Sequence, residues 1–148
     1  ALIVGRKGFY TIEPYPTGDG LEYVTMTEAL YLHGSPDIQA TDYDAVIFVG
    51  GSGANEYWDN PIAHKIANDA HNAKKIIGAI CIAPVTLAKA GLLKNKKATT
   101  YSSTVKDVKA AGANYTGSDV EKDGNIITAS GPAAAHKFGE AIVTALGQ

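Results

Sequence analysis

The 148 residues are 45% hydrophobic and 19% charged with a formal net charge of −2, the balance of one globular domain large enough to bury a core. So small a charge offers no extended field to nucleic acid or an anionic membrane, and no stretch approaches the roughly 20 apolar residues that span a bilayer. Ala1–Val4 is too short for a secretory h-region, and the single cysteine, Cys81, can close no internal disulfide, so a reducing cytoplasm is the expected location.

Four stretches read as buried strands: Ala1–Val4, Tyr23–Thr27, Ala45–Gly50 and Ile76–Ile80. The last two are continuously apolar, as strands covered on both faces of a parallel sheet are. Between the first two, Pro14, Pro16, Gly18 and Gly20 leave no room for a regular helix in the crossover Glu13–Gly20, although parallel neighbours need a connection of about a dozen residues. The spacing of Ile62, Ile66, Ala67 and Ala70 predicts a helix over Asn60–Lys74, with Pro61 in its first turn. A second helix is expected from Ala83 or Pro84 to Ala90, stopped by Gly91. A small β insert follows, with a strand at Lys97–Tyr101, a short helix at Val105–Ala111 and a hairpin of Val120–Lys122 and Asn125–Thr128 about Asp123-Gly124. The last helix, Ala133–Leu146, carries Phe138, Ile142, Val143 and Leu146 on one face. Such alternation predicts a single domain over 1–148, a parallel sheet between helices with a small antiparallel insert.

Ligands of α/β proteins sit beyond the carboxyl ends of the strands, and Cys81 stands there, between Ile76–Ile80 and the helix at Pro84. A nucleophile on a sharp strand-to-helix turn is held exposed, often with strained backbone angles. The helix N-terminus favours a thiolate, and the Ile82 N–H is placed where an oxyanion would form. A second N–H is expected from Gly50-Gly51, where two glycines let the backbone approach a ligand. Free cysteine is also a common small core hydrophobe, so the pattern alone leaves both readings open.

Several motifs, taken together, resemble the DJ-1/PfpI superfamily. Tyr43-Asp44-Ala45-Val46-Ile47-Phe48-Val49-Gly50-Gly51 resembles its strand ending in a double glycine, and Ala79-Ile80-Cys81-Ile82-Ala83-Pro84 its elbow. Ala90-Gly91-Leu92-Leu93, Lys97-Ala98-Thr99-Thr100, the Val120–Thr128 hairpin and Ser130-Gly131-Pro132 follow in the family's order. The resemblance implies a flavodoxin-like three-layer sandwich and a homodimer. It also implies that Glu13, in the acidic loop after the first strand, approaches Cys81; a carboxylic acid there can shuttle protons or stabilise an oxidised sulfur. Ser130, Gly131 and Pro132 border the site by the same resemblance.

Two departures narrow the function. Members with peptidase or amidase activity carry a histidine directly after the cysteine, where this chain has Ile82, and others carry one after the paired threonines, where this chain has Tyr101. Without a Cys–His dyad to protonate a leaving group, peptide hydrolysis is disfavoured. Tyr101 can donate a hydrogen bond into the site, or simply pack as an aromatic. The expected activity is therefore a cysteine-dependent enzyme of glyoxalase or deglycase type acting on reactive small-molecule carbonyls. The alternatives are a redox-responsive or chaperone-like stress protein with an oxidisable Cys81 and, behind it, a peptidase or amidase. His64 and His71 are read as the solvated flank of their helix, His136 as a packing residue and His33 as a loop residue facing a dimer partner. No metal spacing is present in the sequence, and no cofactor is expected.

Overall fold

The computed structural model describes residues 2–5, 8–10 and 39–147. Over these, the chain forms β1 (Leu2–Gly5), β2 (Gly8–Tyr10), β3 (Ala45–Phe48), α1 (Pro61–Asn72), β4 (Ile76–Ile80), α2 (Pro84–Lys89), β5 (Lys97–Ala98), α3 (Val105–Ala110), β6 (Asn114–Tyr115), β7 (Val120–Asp123), β8 (Ile126–Ala129) and α4 (Ala135–Ala145). The expected strand Tyr23–Thr27 and the crossover Glu13–Gly20 lie outside the described residues, as do Glu13 and His33.

The main sheet has the order β2-β1-β3-β4-β8-β7. Its centre is parallel: Val46 pairs with Ile77 and Ile77 with Ile126. These strands alternate between two apolar layers, which is why they read as unbroken hydrophobic runs. Val46, Phe48, Ile77, Ala79 and Ile126 share one buried cluster with Ile66 and Ala67 of α1, Leu87 of α2 and Val108 of α3. Ala45, Ile47, Ile80, Ile127 and Ala129 share the other with Phe138 and Ile142 of α4. Helices therefore cover both faces, and the architecture is a flavodoxin-like α/β sandwich.

The borders of the sheet are antiparallel. Strand β1 runs antiparallel to β3, with Ile3 opposite Val46, so the sheet is mixed rather than parallel throughout. The antiparallel hairpin is not a separate insert: β8 joins β4, and β7 closes that edge of the main sheet. The small second sheet, β5 with β6, is parallel.

Local chemistry explains the boundaries. The Asn60 side chain caps α1, accepting from the Ile62 N–H at 2.9 Å and the Ala63 N–H at 3.1 Å, a contact worth about 1 kcal/mol. The helix α2 stops before Gly91, whose φ is 82°, a conformation glycine adopts without steric cost. The strand expected over Lys97–Tyr101 ends at Ala98 because the next three residues bond elsewhere. The Thr99 N–H donates to Thr128 Oγ1 at 2.9 Å, and Thr100 and Tyr101 turn towards Cys81. The hairpin loop is Gly124-Asn125, one residue later than the Asp123-Gly124 expectation. Gly124 takes φ 64°, while Asp123 is drawn into the ladder opposite Ile126. In α4, Phe138 and Ile142 are buried four residues apart, whereas Val143 is 49% exposed. One residue on from Ile142, it lies about 100° round the helix.

Gly78 sets the spacing between β4 and α4. A Cβ there would lie 2.8 Å from Ile47 Cδ1 and 2.9 Å from the tip of the Phe138 ring, so an added methyl must displace packed side chains. Gly78→Ala should cost about 1–3 kcal/mol, read as a lowered denaturant midpoint with an unchanged slope.

Asp123 ties the hairpin to β5. Its carboxylate accepts the Lys97 N–H at 2.9 Å and the Lys96 ammonium at 3.1 Å. The Lys97 N–H first, then Lys96, hold its pKa below the ordinary carboxylate value. The stabilisation is thus fully present above the unfolded-state pKa of about 3.9 and is lost as pH falls through the lower folded-state value. Asp123→Asn should flatten the acid limb of the stability profile in that window while leaving the neutral-pH fold intact, as followed by circular dichroism.

Candidate active site at the Cys81 elbow

Cys81 follows the last residue of β4 and has a φ of 66°. The left-handed region costs a non-glycine residue about 1–2 kcal/mol, so the surroundings must hold it there. They do so at both backbone groups. The Cys81 N–H donates to the Ala129 carbonyl at 3.0 Å, and its own carbonyl accepts the Tyr101 N–H at 2.9 Å and the Thr100 hydroxyl at 3.0 Å. The residue after it is held too: the Trp58 indole N–H donates to the Ile82 carbonyl at 3.2 Å. After only Ile82 and Ala83, α2 begins at Pro84. This is a strand–turn–helix elbow, and Cys81 is half-buried on it.

Gly50 lies against the elbow. A Cβ at this position would sit 2.6 Å from the Cys81 Cβ, 2.9 Å from the Ile80 carbonyl oxygen and 3.1 Å from Sγ. Only glycine permits so close an approach. Gly51 has open space around it but a φ of 115°, so conformation rather than crowding favours glycine there. It opens the 3-10 turn Ser52–Tyr57 that leads to Trp58.

Tyr101 is present at the rim, 44% exposed. Its ring rests on Gly131, where a Cβ would come within 3.0 Å of Cδ2. Ser130 follows the Ala129 carbonyl that anchors Cys81 and donates its own N–H to the Asp119 carbonyl at 2.9 Å. Pro132 starts the next 3-10 turn. The structure thus brings Cys81, Gly50, Ile82, Tyr101 and Gly131 together. Ser130 and Pro132 flank Gly131.

Four supporting residues escaped the sequence reading: Thr100, Thr104, Trp58 and Ala129. The Thr100 and Thr104 hydroxyls are 2.7 Å apart and both residues are buried. Buried threonines beside a catalytic candidate are a usable signal, since a buried hydroxyl demands a partner. Of the histidines, His64 is not a solvated flank: its Nε2 meets the Trp58 carbonyl at 2.7 Å, bracing the tryptophan that braces the elbow. His71 has a buried Nδ1 with no hydrogen-bond partner among the described residues. His136 is not packed but exposed, paired with Glu140 at 3.2 Å. Among the described residues no group of three His, Cys, Asp or Glu side chains could hold a metal, and no helix is long and apolar enough to cross a membrane.

Comparison with known proteins agrees with this geometry. Residues 13–145 match the model of the DJ-1/PfpI family. The chain belongs to that family. It is 39% identical over 126 residues to an uncharacterized protein of Methanocaldococcus jannaschii, covering 83% of this chain and 59% of the relative. It resembles the crystal structure of a ThiJ/PfpI domain protein from Brachyspira murdochii with a TM-score of 0.73 at 32% identity, over 75% of this chain and 64% of that one. The relatives' names diverge in chemistry. One from Pyrococcus horikoshii is named a deglycase, 29% identical over 65% of this chain and 58% of its own length. One from Bacillus subtilis is named a putative cysteine protease, 35% identical over 65% of this chain and 57% of its own length. The chain spans less than two thirds of the length of the curated relatives named here.

The two glycines make a discriminating pair. Gly50→Ala should slow iodoacetamide labelling of Cys81 at least severalfold by displacing the elbow, with about 1–3 kcal/mol of lost stability. Gly51→Ala, uncrowded but forced into an extended positive-φ conformation (φ 115°, ψ 164°), should cost about 1–3 kcal/mol and leave the labelling rate near wild type, as measured by intact-mass spectrometry.

Proposed function

We propose that this chain is a cysteine-dependent enzyme of glyoxalase or deglycase type, acting on small reactive carbonyl compounds. The observation that carries this reading is the strained, doubly anchored backbone of Cys81. Strain of this kind persists where the surroundings over-determine it, and it clusters at functional sites. A core cysteine has no need of it.

In the proposed reaction the Cys81 thiolate adds to the aldehyde carbon of an α-oxoaldehyde such as methylglyoxal. The carbonyl π electrons move to oxygen, where the Ile82 and Gly51 N–H groups stabilise the charge. Protonation completes a hemithioacetal. Glu13 then takes the proton from the former aldehyde carbon, and a proton is returned to the neighbouring carbon, leaving a thioester. Water hydrolyses it to lactate and frees the thiol. The sum is methylglyoxal plus water to lactate, with no external oxidant or reductant. In this glyoxalase route no step expels an amine, so it tolerates Ile82 and Tyr101 in place of a histidine, and this is why it is favoured over peptide hydrolysis. A homodimer in the cytoplasm belongs to the same reading.

A redox role is the second reading, favoured by the half-buried rather than buried position of Cys81, the chain's sole cysteine. Mild peroxide would then add two oxygens, about 32 Da, at Cys81.

Purified protein should consume methylglyoxal and form lactate, and Cys81→Ala should reduce turnover to the uncatalysed rate. Undiminished turnover by the alanine variant would overturn the enzymatic reading. Glu13→Gln should lower kcat by about 10²-fold or more, the scale of a lost general acid/base, while Cys81 remains alkylatable.

A further inference from the structure

The geometry points to Thr100, backed by Thr104, as a positioning residue that strengthens the Ile82 N–H as an oxyanion donor by polarising the Cys81–Ile82 peptide. It rests on the reading of Ile82 as that donor, and goes beyond it by naming what tunes the group.

The carbonyl of Cys81 and the N–H of Ile82 belong to one planar peptide unit. In the trans form found throughout the described chain, the two groups point in opposite directions. The carbonyl faces inward, where both of its lone-pair directions are taken, one by the Tyr101 N–H at 2.9 Å and one by the Thr100 hydroxyl at 3.0 Å. The Ile82 N–H therefore faces the other way, and it has no acceptor among the described residues. Donors on a carbonyl draw electron density to its oxygen and make the N–H of the same peptide a better donor, the cooperative effect of hydrogen bonds in series.

Proton counting extends the chain by one member. Each threonine hydroxyl carries a single hydrogen. The two hydroxyls are 2.7 Å apart, while Thr104 Oγ1 lies 3.1 Å from the Tyr101 carbonyl, which the Thr104 N–H already occupies at 3.0 Å. Two arrangements serve both carbonyls, Thr104 to Thr100 to Cys81 or Thr100 to Thr104 to Tyr101; the proposed one is the first, in which the Thr100 hydrogen goes to Cys81. Thr100 is 1% exposed and Thr104 4%, so water does not compete. The series runs Thr104 O–H, Thr100 O–H, Cys81 carbonyl, Ile82 N–H.

Two probes of the same thiol separate this role from simple positioning of the sulfur. Iodoacetamide alkylates by displacement at carbon and forms no oxyanion at a carbonyl. p-Nitrophenyl acetate acylates: the thiolate attacks the ester carbonyl, a tetrahedral oxyanion forms, the C–O bond breaks and p-nitrophenolate leaves, while the thiol proton passes to solvent. The readout is the acylation rate divided by the alkylation rate at Cys81. Wild type should exceed N-acetylcysteine in this ratio. If it does not, the reading of Ile82 as an oxyanion donor fails, and this inference with it. Given that excess, Thr100→Val should lower the ratio about three- to tenfold, below the 10²–10³-fold of a lost direct donor, and Thr100→Ser should restore it. An unchanged ratio in Thr100→Val, or equal slowing of both reactions, would overturn the inference while leaving Ile82 in its role. Should Thr100→Val not fold, Thr104→Val carries the test, with an expected two- to threefold fall, and an unchanged ratio there is equally fatal.

Discussion

The site depends on one backbone angle. Cys81 turns from strand to helix with φ at 66°, a conformation that its own side chain disfavours. Three hydrogen bonds on the two polar groups of that one residue, from Ala129, Tyr101 and Thr100, hold it in place. Each comes from a segment distant in sequence, so the angle is enforced by tertiary structure. The same bonds account for features that would otherwise seem unrelated. They end β5 at Ala98, bring Tyr101 to the rim, and fix β8 beside β4 with Ala129 at its tip.

Close approach is the second constraint, and glycine meets it twice. Gly78 lets α4 settle on β4 through the Phe138 ring, and Gly50 lets the end of β3 lie against Cys81. In both places a single methyl would enter space already filled by packed atoms, in an interior with little slack. One glycine sets the distance between layers, the other the distance between two strand ends. Together they join the sandwich to the chemistry at its edge.

Membership of the DJ-1/PfpI family assigns the elbow but not its reaction. Ile82 follows the cysteine and Tyr101 follows the paired threonines, so neither position supplies an imidazole. The Ile82 backbone is gripped by Trp58 on its carbonyl side, and Trp58 is in turn held by His64. Among the described residues, the groups bonded to the Cys81 backbone are the Ala129 carbonyl, the Tyr101 N–H and the Thr100 hydroxyl, with no imidazole among them. The proposed addition to a carbonyl asks for oxyanion donors, whereas expulsion of an amine asks for an acid.

Much of this was legible in the residues themselves. The runs Ala45–Phe48 and Ile76–Ile80 announced strands buried on both faces because layering requires apolar residues at every position. Asn60-Pro61 and Gly91 marked helix ends through local capping chemistry, and Cys81 at a strand end before Pro84 marked the elbow. Other features were not legible, for a physical reason. Thr99 to Tyr101 have β-forming side chains, yet they leave the strand because partners at Thr128 and Cys81, 29 and 19 residues away, take their hydrogen bonds. Val143 is apolar but faces outward, about 100° round the helix from Ile142, while Phe138 and Ile142 face the sheet. The antiparallel course of β1 and the bracing of the elbow by Trp58 and His64 likewise arise between segments. Local periodicity and capping determined which elements form; only the packing of distant segments decided which hydrogen bonds each surrendered to shape the site.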